Sequence, residues 1–380
     1  MVDNGHLVHV ITVNPGGNED VVVGEGHLII HYLAVPNQKA FQSRLPNYLL
    51  NFKKENKFDL IECAEYGGDT VFALEIISEL TQKFIVRLHG ITILSLIYDS
   101  KSSIIRGWLY FIAWIGRYKF VSRICMKLFP HRAKLIQKNQ WERQLMLAAD
   151  IVTVPSFKMN DFITYCWQIP VNKLYKIPNP ATFVPEYRDA FSETKITVGY
   201  VNRCQHWKGF DLFVYLVNEV YGRPWGSPSY YFEIYGAIEA QAREFLLHKY
   251  RPLARHNLTI HGRVDPAEVE RAMRTFDCLI LPSRYESYSI VLLEAMSKGC
   301  IVCVSDGVGA AEIISDGENG FLFRSGDKRA LLEAFKRITS LSHEERLRIS
   351  RNATRTVEEN FADEHLYQTY LEVYENQVNR

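Results

Sequence analysis

Two glutamates, Glu286 and Glu294, stand eight positions apart in the stretch from Pro282 to Gly299, PSRYESYSIVLLEAMSKG. The apolar run Cys278 to Leu281 before it has the length of a buried parallel strand, and helical spacing resumes at Ile290. The order is therefore strand, loop, helix. Such a loop lies at the carboxyl end of a strand and presents backbone N–H groups at a helix start, where α/β sheets hold anionic ligands. Were all eight steps helical, the two carboxylates would sit about 12 Å apart. That separation suits one extended ligand better than one metal ion. Carboxylates accepting from hydroxyls at two places on a ligand are what sugar recognition needs.

Glu286 and Glu294 within PSRYESYSIVLLEAMSKGCIVCVSD, followed by GVGAAEIISDGENGFLF, resemble the carboxyl-terminal signature of the retaining GT-B glycosyltransferases of family GT4. The likeness weakens upstream to about Ile151 and is faint before it. It implies an α/β GT-B fold, two facing Rossmann-like domains with the active site in the cleft between them. It also implies transfer of a hexose from a nucleoside-diphosphate sugar, with retention at the anomeric carbon. The family's Gly-Arg pair, short loop and Lys-Gly are matched by spacing at Asn202-Arg203 and Lys208-Gly209. Arg203 and Lys208 are thus expected on the donor diphosphate, where fixed cations stabilise the charge of the departing group. The resemblance assigns Glu286 to the donor hexose and Glu294 to the ribose hydroxyls. His89, at the end of the strand FIVRLHG, is expected to steady the sugar or acceptor from the opposite domain. Helix-start N–H groups of Ser287, Tyr288 and Ser289 join the donor site.

The elements that must position these residues can be read along the chain. LVHVITV, HLIIHYLAV, FDLIECAEY and FIVRLHG read as strands, with helices near 41–55 and in TVFALEIISEL, which gives a βαβ organisation and a parallel sheet. Asn14 to Gly17 reads as an ordinary turn. In the family a strand and a glycine-rich loop precede the segment resembling Gly5 to Thr12; here they are expected to be missing or shortened. "AAD, apolar strand, PS" occurs at 148–156 and, with Phe276-Asp277, again before Pro282-Ser283, a likeness expected of two facing domains. Lys176 to Pro180 resembles the family's pre-linker segment. The expected division is 1–182 for an acceptor domain, 183–360 for a donor domain and 361–380 for a helix crossing back, with Tyr367, Tyr370 and Tyr374 as its packing stripe.

In the second domain KITVGYV, YYFEIYG, LTIHGRV, CLILPS and IVCVSD read as strands, with EAQAREFLLHKY, AEVERAMRTF and IVLLEAMSKG as helices between them. Gly236 and Gly262 end two of these strands, where a missing side chain admits close backbone approach to a nucleotide. Arg263 is expected beside the base, and Gly309, in the Gly307–Glu312 loop, near the sugar or a phosphate. Glu312 is read as structural.

A net charge of +1 over 380 residues excludes the overall basic field of a general nucleic-acid binder. Seven scattered cysteines fit a reducing compartment, with Cys300 and Cys303 as buried thiols. Met1 to Gly5 lacks the order of a secretory signal, so a cytoplasmic location is expected. The absence of Asp-x-Asp or metal-ligand spacing leads to the expectation that no metal is needed. From 101 to 138 there are nine Lys and Arg, no Asp or Glu, and Trp108, Tyr110, Phe111, Trp114, Tyr118 and Phe120. Three readings stay open for it: peripheral contact with an anionic membrane on its inner face, attraction of a lipid-phosphate acceptor, or a core helix with a solvated basic face. The expected partners are a UDP- or GDP-sugar donor and a glycan or lipid-linked acceptor, in surface polysaccharide or glycolipid assembly. A non-catalytic nucleotide-sugar-binding paralogue and a sugar-nucleotide epimerase of the same architecture are the rival readings.

Overall fold

The computed structural model describes residues 5–378 except 14–16, 55–56, 66–69, 91, 100–102, 116–117, 129, 131–132, 222–228 and 239–256. The turn expected at 14–17 therefore lies largely outside the described residues, and the helix expected at 239–250 wholly so.

The second half is organised by one six-stranded parallel sheet. Its first strand in the chain, Lys195–Val201, is buried from Ile196 to Val201, because an apolar run covered by helices on both faces has no solvent side. The full strand series is β1 (Val8–Val13), β2 (Val21–Glu25), β3 (Leu28–Leu33), β4 (Phe58–Ala64), β5 (Thr81–Arg87), β6 (Ile151–Val154), β7 (Leu174–Lys176), β8 (Lys195–Val201), β9 (Ser229–Tyr235), β10 (Leu258–Gly262), β11 (Cys278–Leu281), β12 (Ile301–Ser305) and β13 (Phe321–Phe323). The large sheet runs β10-β9-β8-β11-β12-β13. The direction of chain growth reverses between β8 and β11, and the crevice at that switch is where open parallel sheets take their ligands.

The helices are α1 (Gln38–Phe52), α2 (Leu74–Leu80), α3 (Thr92–Asp99), α4 (Ser103–Ile115), α5 (Lys119–Leu128), α6 (Ala133–Ala148), α7 (Asn160–Trp167), α8 (Phe210–Tyr221), α9 (Pro266–Met273), α10 (Ile290–Ser297), α11 (Lys328–Thr339), α12 (His343–Phe361) and α13 (Asp363–Val378). Their starts are fixed by local chemistry. Asp265 caps α9 ahead of a proline in the first turn, Asp327 caps α11, and Ser342 forms a capping box with Glu345 on α12.

The first half departs from expectation. Instead of one parallel sheet it has two, β4-β5-β6-β7, all parallel, and a separate β1-β3-β2. In the latter β2 runs antiparallel to β3. Strand β2 was not anticipated: all five of its residues are exposed, so it carries no inward-facing apolar alternation to read.

The halves share a local device. Asp150, just before β6, accepts the Phe84 N–H at 2.8 Å, and Asp277, just before β11, accepts the Thr197 N–H at 2.7 Å. Each carboxylate satisfies a donor on a neighbouring strand, which accounts for the aspartate that opens each copy of the pattern. Helix α13 returns to the first domain, where Tyr370 and Tyr374 pack on Ile85, Ile151 and Ile177. Cys300 and Cys303 are buried in different apolar clusters on the two sides of the sheet.

Candidate active site

The loops that leave β8 and β11 meet at the switch point. Arg284 fastens them: its N–H donates to the Trp207 carbonyl at 2.7 Å and its guanidinium holds both oxygens of Asp211 at 2.7 and 2.9 Å. The contact is so close that a Cβ at Gly209 would stand 1.9 Å from the Pro282 oxygen, and Gly209 has φ +69°. Only glycine tolerates both conditions, so the Lys208-Gly209 pair is dictated by the neighbouring loop.

That approach places Lys208 Nζ 2.8 Å from Glu286 Oε1, with the two side chains 7% and 16% exposed. Lys208 Nζ also lies 4.4 Å from the centre of the Trp207 ring, and the Arg203 guanidinium 5.4 Å from it on the exposed side. The indole thus orders both cations. The Tyr200 hydroxyl donates to the Arg203 carbonyl at 2.9 Å and steadies the loop.

The 283–289 loop is rich in unmet hydrogen-bonding capacity. Ser283 Oγ, Tyr285 OH, Glu286 Oε2, Tyr288 OH and Ser289 Oγ are buried without a protein partner. Buried polar groups are ordinarily paired, and leaving one unpaired costs about 1–3 kcal/mol. Tyr285 and Tyr288 turn into different apolar clusters, so the one of these atoms set beside a cation at the switch point is Glu286 Oε2. Glu286 accepts Lys208 on one oxygen and keeps the other for a ligand.

Glu294 lies on α10, half-buried. Burial, then the nearby Glu270 charge, push its carboxyl above the ordinary glutamate range, with Lys298 opposing. The helical measure of the Glu286–Glu294 separation does not apply, because α10 begins only at Ile290 and Ser289 sits at φ +133°.

The glycines divide. At Gly262, φ is +78° and a Cβ would meet nothing within 4 Å, so open space faces it. Gly236 makes a close approach to protein, its Cβ position being 1.9 Å from the Asn202 oxygen. Gly309 likewise packs on the loop: a Cβ there would stand 2.1 Å from the Ser287 oxygen, and its N–H donates to the Glu286 carbonyl at 2.8 Å. The Gly307–Glu312 segment therefore props the Glu286 loop instead of offering that N–H to a phosphate. Arg263 is exposed next to Gly262.

From the first domain His89 reaches the same loop. Its carbonyl accepts from Ser287 Oγ, and its ring is 52% exposed. Glu65, fully buried, takes the His89 N–H at 2.9 Å and the Gly90 N–H at 2.7 Å, which fixes the end of the strand. Ser156 Oγ donates to the Ser287 carbonyl at 2.6 Å. Tyr98 stacks on Tyr285 with centroids 4.8 Å apart. Glu312 accepts the Phe157 N–H at 3.2 Å and pairs with Lys176 at 2.5 Å, so it joins the two domains. The structure thus brings together Glu286, Lys208, Ser287 and His89, with Arg203 at the rim. Sequence reasoning missed Glu65, Tyr98, Ser156 as a hydrogen-bond donor, and Trp207. An acid at a strand's carboxyl end was the available signal for Glu65; the others act through contacts distant in sequence.

Among the described residues, no group of three or more His, Cys, Asp or Glu is placed to hold a metal ion. Two α/β domains joined across a cleft, with cations and carboxylates at the switch point of the second, define a GT-B protein.

The comparisons agree. Residues 186–356 match the family model described as glycosyl transferases group 1. A Klebsiella pneumoniae relative described as an uncharacterized 41.2 kDa protein in the cps region is 24% identical over 285 residues, 74% of this chain and 69% of that protein. The phosphatidyl-myo-inositol mannosyltransferase of Mycobacterium leprae is 42% identical over 74 residues, 19% of this chain and 20% of that protein. Among solved structures, the sucrose-phosphate synthase of Thermosynechococcus elongatus superposes with a TM-score of 0.70 at 17% identity, covering 99% of this chain and 90% of that one. Anabaena HepE in complex with UDP gives 0.64 at 16% identity, covering 93% and 87%. The structural likenesses establish the GT-B fold, and the family match supports glycosyltransferase function of group 1.

Proposed function

We propose that the protein is a retaining hexosyltransferase of GT4 type that moves a sugar from a UDP- or GDP-hexose to a glycan or lipid-linked acceptor, in surface polysaccharide or glycolipid assembly, without a metal ion. The observation that carries this reading is the 283–289 loop, with Glu286 Oε2 buried and unpaired, set against the Lys208–Glu286 pair. In support, HepE was crystallised with UDP on the same fold.

In this reading the donor diphosphate lies against Lys208 and Arg203, whose charges offset the negative charge that grows as the sugar–phosphate bond breaks. Glu286 Oε2 accepts a hexose hydroxyl, and Glu294 accepts from the ribose. The acceptor oxygen bonds to the anomeric carbon on the face that the phosphate oxygen leaves, and its proton passes to that oxygen. No protein nucleophile is required. His89, held by Glu65 through its backbone, faces the transfer from the first domain.

The test is incubation of the chain, in the presence of EDTA, with α-configured UDP- and GDP-hexoses and a panel of hexoside acceptors, followed by proton NMR of the anomeric signal. An α-linked product that disappears in Lys208→Ala is expected. A β-linked product would contradict retention, and donor consumption only after metal is restored would contradict metal independence.

A further inference from the structure

Helices α4 and α5 carry an outer face that the cleft chemistry leaves unused. Helix α4 buries Leu109, Ile112, Ala113 and Ile115 against the domain, yet its opposite side is also apolar: Trp108, Phe111 and Trp114 are exposed. On α5, Phe120, Ile124 and Leu128 recur at four-residue spacing and are exposed, Phe120 to 75%. Arg123 and Lys127 are exposed beside them. Single exposed apolar residues are ordinary, but Trp108, Phe111 and Trp114 stand in series with ring centroids 5.7 and 6.2 Å apart, and such a run of neighbouring exposed aromatics marks an interaction site.

Charge selects the occupant. The 101–138 segment holds nine cations and no acid, whereas the whole chain is balanced at +1. Aromatic side chains flanked by cations, on helices lying along a surface, match the boundary layer of an anionic bilayer, with rings among the acyl chains and cations at the headgroups. Helix α4, at 13 residues, is about 20 Å long and cannot cross a hydrocarbon core of about 30 Å. Among the described residues no helix is long and apolar enough to cross a membrane.

The face also adjoins the site. Tyr110, exposed on α4, lies beside Tyr98 on α3, and Tyr98 stacks on Tyr285, next to Glu286. We infer that the α4–α5 face docks the protein on an anionic lipid bilayer and thereby sets the cleft at the headgroup level, where an acceptor anchored in the same leaflet meets the donor loop. This deepens the proposed reaction, and it rests on that reading for its purpose, though not for the docking itself.

The test is co-sedimentation of the full chain with vesicles of phosphatidylcholine mixed with phosphatidylglycerol, against vesicles of phosphatidylcholine alone, alongside thermal shift with UDP- and GDP-sugars. The native chain is expected to sediment with the mixed vesicles and much less with the neutral ones. The triple variant Trp108→Ser, Phe111→Ser, Trp114→Ser is expected to stay in the supernatant. Arg123→Gln with Lys127→Gln is expected to lower the partition coefficient on the order of 30-fold. Both variants should keep the donor-induced thermal shift of the native chain, which shows them folded. No sedimentation of the native chain with mixed vesicles would overturn the inference, as would equal sedimentation of the variants. Concentration-dependent self-association lost in the triple variant, without vesicle binding, would assign the face to a second copy and overturn it too. A native chain that sediments but gives no donor shift upholds the docking and counts against the transferase reading instead.

Discussion

Glu286 illustrates how one side chain is prepared for two partners. One oxygen is spent on Lys208 at 2.8 Å, and the other is buried and unpaired. Glu286→Gln keeps the shape but weakens the pairing, so it should depress turnover more than it affects folding. In the proposed site Glu294 accepts from the ribose alone, so Glu294→Ala is expected to raise the donor KM about 10- to 100-fold, the loss of a hydrogen bond to a charged group, with little change in kcat. In the proposed site the Arg203 cation faces charge that develops in the transition state, so Arg203→Ala should lower kcat as well. Equal loss of donor affinity with unchanged kcat in both variants would contradict these roles. A pH dependence follows from Glu294. Its carboxyl titrates above the ordinary range because burial disfavours the charged form. Donor affinity should therefore be full well above that pKa and should fall on acidification, starting at a higher pH than for a solvated glutamate. The stability term has the opposite sign, since ionisation costs the folded state and stability drops as pH rises through the shifted pKa. Glu294→Gln should accordingly melt at a higher temperature than the native chain at neutral pH while binding donor less tightly.

The loops and strands explain why these residues converge and how much of that convergence was legible. Gly209→Ala forces a Cβ against the Pro282 carbonyl and strains a φ of +69°. The φ alone costs about 1–2 kcal/mol, so urea denaturation should show at least that loss, accompanied by weaker donor binding as Lys208 shifts. Unchanged stability would contradict the packing described. The two-carboxylate loop and the Arg-Lys loop were readable because each follows a short apolar run, and buried parallel strands write themselves plainly into sequence. Strand β2 was not readable, since its five exposed residues bury nothing. The meaning of Gly236 and Gly309 was half readable. Their type signals close approach, but only the fold shows that what approaches is the Asn202 carbonyl and the Ser287 carbonyl. Glu65 lay at a strand end in plain view, yet its bonds to the His89 and Gly90 N–H groups depend on the pairing of β4 with β5.

At the scale of the molecule, α13 straps the second domain to the first. The tyrosine stripe was legible as an i, i+3, i+7 pattern, whereas its polar partners were not. Arg87 holds Glu62 at 2.7 and 2.8 Å and bonds the hydroxyls of Tyr370 and Tyr374, while Tyr374 also donates to Glu62. Burial of the Arg87 guanidinium is more than offset by Glu62 and the two tyrosines, which hold its pKa above the ordinary arginine value. Arg87→Met should lower stability by about 1–3 kcal/mol, measured by thermal melting, with faster proteolysis near 361–363 as the strap loosens. A variant as stable and as protease-resistant as the native chain would show that the strap is held by apolar contact alone. The strap and the Ser287, Ser156 and Glu312 contacts hold the two domains across a cleft whose proposed occupant is a nucleoside-diphosphate sugar bound without metal. That claim is tested most directly by a thermal-shift panel of UDP-, GDP- and ADP-sugars with EDTA, run on the native chain beside Glu294→Ala and Lys208→Ala. Ligand at 100 times its dissociation constant should add about 2.7 kcal/mol of stability. A shift by one donor class that survives EDTA and falls to about half or less in both variants is the predicted result; no shift with any nucleotide sugar, or a shift unchanged in the variants, would contradict the account.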